Sequence, residues 1–248
     1  MDFLQDNKVA NRVGVAILLF VWVLESLFLG TRIWVLHEWP LFSAAQAAML
    51  FSWLLITLSV VFTFWYRIDF FVFFLNVCGL IFALFDVIVH GHHDALVRQS
   101  DLLVIHVSTA LMSYIAFSVS GIFSVLYMLE SSSLRFKRFE SGPFRRLPPL
   151  ATLDRFAYRS ALVGEPLLLL AIVLGGIWYY ILTGRPIDFD AKPIVSVLLF
   201  FLYGLYLFLR YTGKVSGRTA AWLNIASYAG VIVNFLVVSA FVSSFHRW

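Results

Sequence analysis

The chain has 248 residues, of which 61% are apolar and 13% charged, with a formal net charge of +4 and a mean hydropathy of +0.90. Soluble domains are nearer half apolar and a quarter charged, and a chain of this size cannot hide such an excess in a core. A soluble enzyme and a disordered tail are excluded, and so is a disulfide scaffold, because Cys78 has no second cysteine to pair with. Since one spanning helix takes roughly 20 apolar residues, the length admits about seven spans and little extramembrane mass.

The apolar runs do not alternate as barrel strands would, so they read as helices. The predicted fold is an all-α, polytopic transmembrane bundle, a single domain over residues 1–248. The stretch Met1–Asn11 is polar and mixed in charge, and lacks the basic start and cleavage site of a signal peptide. The spans are expected at 12–30, 40–64, 70–90, 101–129, 160–182, 193–211 and 219–244. Along them lie Glu25 in the first, Gln46 in the second, Asn76 and Cys78 in the third, Glu165 and Pro166 in the fifth, and Asn224 and Asn234 in the seventh. Acids at that depth need a reason: a proton or ion pathway, or hydrogen bonding between helices. The amides read as packing groups of the second kind, and Ser113, Ser120, Gly121 and Ser124 mark a small-residue stripe for close helix contact.

Orientation follows from the basic residues. All Lys and Arg except Arg32, Arg98, Arg185, Lys192 and Arg247 fall on the side of the N-terminus. The positive-inside rule makes that side cytoplasmic, with the N-terminus in and the C-terminus out. The basic charge therefore reads as a topology signal and not as a nucleic-acid footprint. The longest loop, 130–159, is basic and broken by Pro143, Pro148 and Pro149, and it reads as an anchor on anionic lipid or as a docking surface for a partner. Trp34, Trp39, Trp178 and Trp248 belong to an outer aromatic belt and Trp65 to the inner one.

The six histidines all fall on the outer side in this topology. His37 lies in the first outer loop, His90, His92 and His93 at the end of the third span, His106 near the start of the fourth, and His246 at the end of the seventh. A haem iron with two histidine ligands needs imidazoles on separate rigid elements facing each other across the ring. His106 and His246 meet that need. The alternative for the pair is a hydrogen-bonded helix residue and a frayed tail. Asp86, His90, His92, His93 and Asp94, with His37 or Glu38, offer a zinc site as a rival, or simply a solvated helix end. Asp86 is also placed to orient a histidine. No activated nucleophile and no paired carboxylates stand out, so no enzyme is expected.

From the fourth span onward the sequence resembles the cytochrome c assembly family of membrane haem-handling proteins, of the CcsA and CcmC type. The resembling stretches are HVSTALMSYIAFSVSGIFSVLYMLE at 106–130, LDRFAYRSALVGEPLLLLAIVLGGIW at 153–178, DFDAKPIVSVLLFFLYGLYLFLR at 188–210, GRTAAWLNIASYAGVIVNFLV at 217–237 and the terminal FHRW. Residues 3–30 and the two spans after them resemble the HemX subgroup.

The resemblance implies that His106 and His246 are the axial ligands of a non-covalent haem b. It also implies that they flank an outer loop, here 183–192, that holds the haem edge and presents it to an apocytochrome. Trp178, Gly184, Asp190 and Lys192 fall where that pattern has them, but the loop reads TGRPIDFDAK and lacks the family's tryptophans. Loss of the loop with retention of the histidines resembles HemX proteins, which implies control of haem synthesis by limiting glutamyl-tRNA reductase. The expected location is the plasma membrane, multi-pass, with haem on the extracytoplasmic side. Charge alone suggests Lys192, Arg185 or Arg98 for the propionates. Expected partners are haem, membrane lipid, and a cytochrome c assembly subunit or a haem-synthesis enzyme, with no nucleic acid. Two rival classes remain: a regulatory protein working through Arg145, Arg146 and Arg155 of the basic loop, and a small haem or proton transporter using Glu25 and Glu165.

Overall fold

The computed structural model describes residues 8–34, 44–65, 69–89, 100–135, 147–186 and 190–242, and every regular element among them is a helix. These are α1 Lys8–Trp34, α2 Ala44–Trp65, α3 Asp69–Val89, α4 Asp101–Arg135, α5 Leu150–Thr183, α6 Ala191–Tyr211 and α7 Gly217–Val233. α7 continues as a wider π-helix over Asn234–Val242. Six of them (α1, α2, α4, α5, α6 and α7 with its continuation) are long and apolar enough to cross a membrane, and α3 contributes a shorter apolar stretch, Phe70–Leu84. The protein is a multi-pass membrane protein.

α5 starts well ahead of its expected edge, at Leu150. Residues 150–159 carry charges, so hydropathy alone ends the span at 160. They also place Leu153 and Ala157 one turn apart on a buried face, which is enough to continue the helix back to Pro149. Arg155 and Arg159 therefore ride on α5 and not on a loop. Asp154 faces α6 and accepts a 2.6 Å ion-paired hydrogen bond from Arg210. α5 ends where Gly184 adopts a left-handed conformation, φ 70°, and its N–H closes on the Tyr180 carbonyl at 2.8 Å.

Lipid tails are as apolar as leucine, so helices in a bilayer associate through close packing and hydrogen bonds. α4 is the axis of the bundle and packs along α5 and α7. Its Gly121 lies under the Tyr228 ring of α7. Its Phe117 ring lies on Gly164 of α5 and stacks on Tyr203 of α6 at 3.8 Å between centroids. Asn224, fully buried on α7, donates to the Ser120 and Ser124 hydroxyls at 2.7 Å. Asn234 donates to the Tyr114 hydroxyl and to Ser196 of α6, both at 3.0 Å. Phe51, Phe71, Phe82, Phe123 and Phe235 join the α2–α3 pair to α4 and α7.

α1 rests on α2 through a reciprocal clasp. The Trp22 indole donates to Thr57 at 2.9 Å, the Trp53 indole of α2 donates back to Ser26 at 2.8 Å, and Ser52 reaches Glu25 at 3.2 Å. The outer face of α1 (Ile17, Phe20, Leu24, Leu27) is exposed. With so little apolar contact behind them, the indole bonds carry the docking. We expect the double change Trp22→Phe and Trp53→Phe to cost α1 about 1 kcal/mol of association. The change is read as faster proteolysis of α1 in detergent, or faster labelling of a cysteine introduced on α1, with the rest of the bundle intact.

Candidate functional site

The site assembles where the first turns of α4 and α6 meet the last turns of α5. His106 projects from α4 onto the α5 backbone. Its Nδ1 lies 2.8 Å from the Ala171 carbonyl oxygen. A carbonyl only accepts, so Nδ1 carries the proton and donates it. The neutral ring then keeps its lone pair on Nε2, and no described residue hydrogen bonds to that atom. This is the tautomer a metal-ligating histidine takes when a backbone carbonyl holds its other nitrogen.

Gly175 forms the floor under the ring. A Cβ built there would sit 2.7 Å from His106 Cε1, 3.1 Å from Nδ1 and 3.3 Å from Nε2. The imidazole thus fills the space a side chain would occupy. Trp178 lies one turn further along the same buried face of α5. From the other side, Asp190 is the N-cap residue of α6 and is buried, and Lys192 follows in the first turn. Lys192 is near enough to act electrostatically on both Asp190 and His106.

Of the residues singled out in the sequence, the structure brings His106, Trp178, Asp190 and Lys192 to this one end of the bundle. Gly184 and Arg185 are exposed at the α5 terminus, where the Arg185 amide caps onto Thr183 at 3.2 Å. His246 lies outside the described residues. So do Arg98, His37, Glu38, His90, His92, His93, Asp94 and the side chain of Asp86, the rival zinc group. Among the described residues no cluster of three or more metal-binding side chains exists. Glu25 and Glu165 sit in different interfaces, Glu25 against Ser52 of α2 and Glu165 against Gly204 of α6.

Two residues of the site escape sequence reasoning: Ala171 and Gly175, which act through a backbone oxygen and a missing side chain. A signal for them does exist. His106, Ser113 and Ser120 recur every seven residues, the spacing of a helix seam. Their partners on α5 step back by seven as well: Ala171, Gly164 at 2.9 Å and Ala157 at 2.6 Å. The imidazole is the last rung of a ladder that runs along the antiparallel α4–α5 pair.

A polytopic helix bundle that fixes one buried imidazole at one end defines a multi-pass membrane protein with a histidine site set into its helix packing. The family described as Cytochrome C assembly protein matches residues 34–246, and the chain belongs to that family. It is 35% identical to Protein HemX of Bacillus subtilis (strain 168) over 99% of this chain and 90% of that one. It is 34% identical to Protein HemX of Brevibacillus brevis over 100% and 91%. Cytochrome c biogenesis protein CcsA of Synechococcus sp. (strain RCC307) is 26% identical over 67% of this chain and 60% of its own.

Proposed function

We propose that the protein binds one haem b at the extracytoplasmic end of the bundle, with His106 and His246 as axial ligands. The observation that carries this reading is the Nδ1–Ala171 bond, which leaves the lone pair of Nε2, on a histidine at the bundle end, without a hydrogen-bond partner among the described residues. The donor chemistry fits a haem iron: a neutral imidazole on a rigid helix, beside an apolar, tryptophan-bearing face. Lys192 would meet a propionate, with Asp190 restraining its ammonium, and Trp178 would close the buried side. His246 is four residues after Val242, the last described residue, in the sequence. When bound, haem supplies a ligatable, one-electron iron centre.

We further propose that the role is control of haem synthesis and not delivery to an apocytochrome. The HemX proteins align over the whole chain, whereas the CcsA protein aligns over two thirds of it at lower identity. The loop 183–192 also lacks tryptophan. The protein would act in the plasma membrane, without bond-making catalysis of its own, by lowering the amount of glutamyl-tRNA reductase.

The test is the absorption spectrum of the full chain expressed with supplied haem and purified in detergent. A low-spin b-type spectrum with one haem per chain supports the reading. Protein that remains colourless after haem titration removes it. Deleting the gene in the parent cell is expected to raise the reductase level severalfold while covalent cytochrome c stays unchanged; the reverse pattern would assign delivery.

A further inference from the structure

Granting the haem reading, we propose that the α5 backbone at Ala171 and Gly175 is the positioning device of the iron ligand, so that α5 as well as α4 sets where Nε2 points. Three observations support this. The Ala171 carbonyl holds the ring at Nδ1, which fixes both the tautomer and the in-plane angle. The missing Cβ of Gly175 lets the ring lie on the helix, within 2.7–3.3 Å of where that atom would be. The ring is also in register with two hydroxyl rungs, Ser113 to Gly164 and Ser120 to Ala157, which pin α5 along α4. The neighbouring Gly176 differs sharply: a Cβ there meets nothing within 4 Å. The two adjacent glycines therefore carry opposite expectations.

A Cβ at residue 175 pushes the ring off α5, while the Ala171 carbonyl one turn back on the same helix holds Nδ1 against it. The ring must tilt, and Nε2 tilts with it. Partners that orient a metal-ligating histidine are typically worth about tenfold or more in metal affinity. Gly175→Ala is expected to weaken haem retention about tenfold and to shift the electron paramagnetic resonance g-values of the ferric protein, which report the orientation of the axial imidazoles. Gly176→Ala is expected to match the parent in both.

Haem retention and g-values that are the same for Gly175→Ala and Gly176→Ala would overturn the proposal. Should Gly175→Ala fail to accumulate, the double change Ser113→Ala and Ser120→Ala carries the test, since it loosens the register without adding atoms. Shifted g-values are then expected, and unshifted ones count against the device. If the parent protein binds no haem, the haem reading fails by itself. The socket is then read from ring nitrogen chemical shifts: a single Nδ1–H tautomer for His106 in the parent and in Gly176→Ala, and a mixture in Gly175→Ala. The same tautomer in all three would remove the socket too.

Discussion

Changing His106 and His246 together to Ala is expected to abolish the low-spin haem spectrum completely. Each single change should leave a five-coordinate, high-spin remnant, because one imidazole still holds the iron while the opposite face loses its donor. His106→Ala also deletes the bond to the Ala171 carbonyl, so lost colour alone would not separate ligation from packing. His106→Gln makes that separation. Its side-chain amide still offers an N–H to the Ala171 carbonyl but has no imidazole to give the iron. We expect His106→Gln to fold as the parent does, with an unchanged thermal midpoint of the haem-free form, and to lose the low-spin bands. A parent-like spectrum in the double Ala variant would end the ligand assignment.

The second large effect is expected at Gly121. A Cβ there would lie 2.4 Å from Cδ1, 2.5 Å from Cγ and 2.8 Å from Cβ of Tyr228. Rotating the ring cannot relieve a contact with Tyr228 Cβ, which is fixed to the α7 backbone, so α7 itself must move off α4. That movement also pulls on Asn224, one turn away, whose amide is bonded to Ser120 and Ser124. Overpacking a tight contact typically costs about 1–3 kcal/mol, and we expect Gly121→Ala to cost about 3 kcal/mol. Tryptophan fluorescence during heating in detergent measures it. Gly176→Ala serves as the reference and should be neutral or slightly stabilising, since alanine is the better helix former. An equal midpoint for the two would show that the α4–α7 interface has room that the structure does not.

The all-helical class was legible because hydropathy is additive along a chain: long runs of Leu, Val, Ile and Phe that do not alternate have one stable solution in a bilayer. The polar packing groups were legible for a related reason. Asn76, Asn224 and Asn234 stand out within apolar runs, and each is bonded across or along a helix, Asn76 to Ser59 and to the Val72 carbonyl. The start of α5 was not legible, because the charges of Asp154, Arg155 and Arg159 hide a helical face from any measure that averages over all faces. Family membership was legible in the order of residues from His106 to Val237, a stretch whose individual residues carry little meaning alone.

The amino-acid order alone settled that this chain lives in a membrane as helices, because burial in lipid depends on composition over a window and on nothing distant. It also marked His106 as a polar residue in need of a purpose. Only the folded bundle decided which nitrogen of that ring carries the proton. That answer comes from the Ala171 carbonyl, 65 positions away, and from the bare Cα of Gly175 one turn beyond it. Backbone oxygens are the same in every residue and a glycine shows only what it lacks, so neither declares a role until another helix is laid against it.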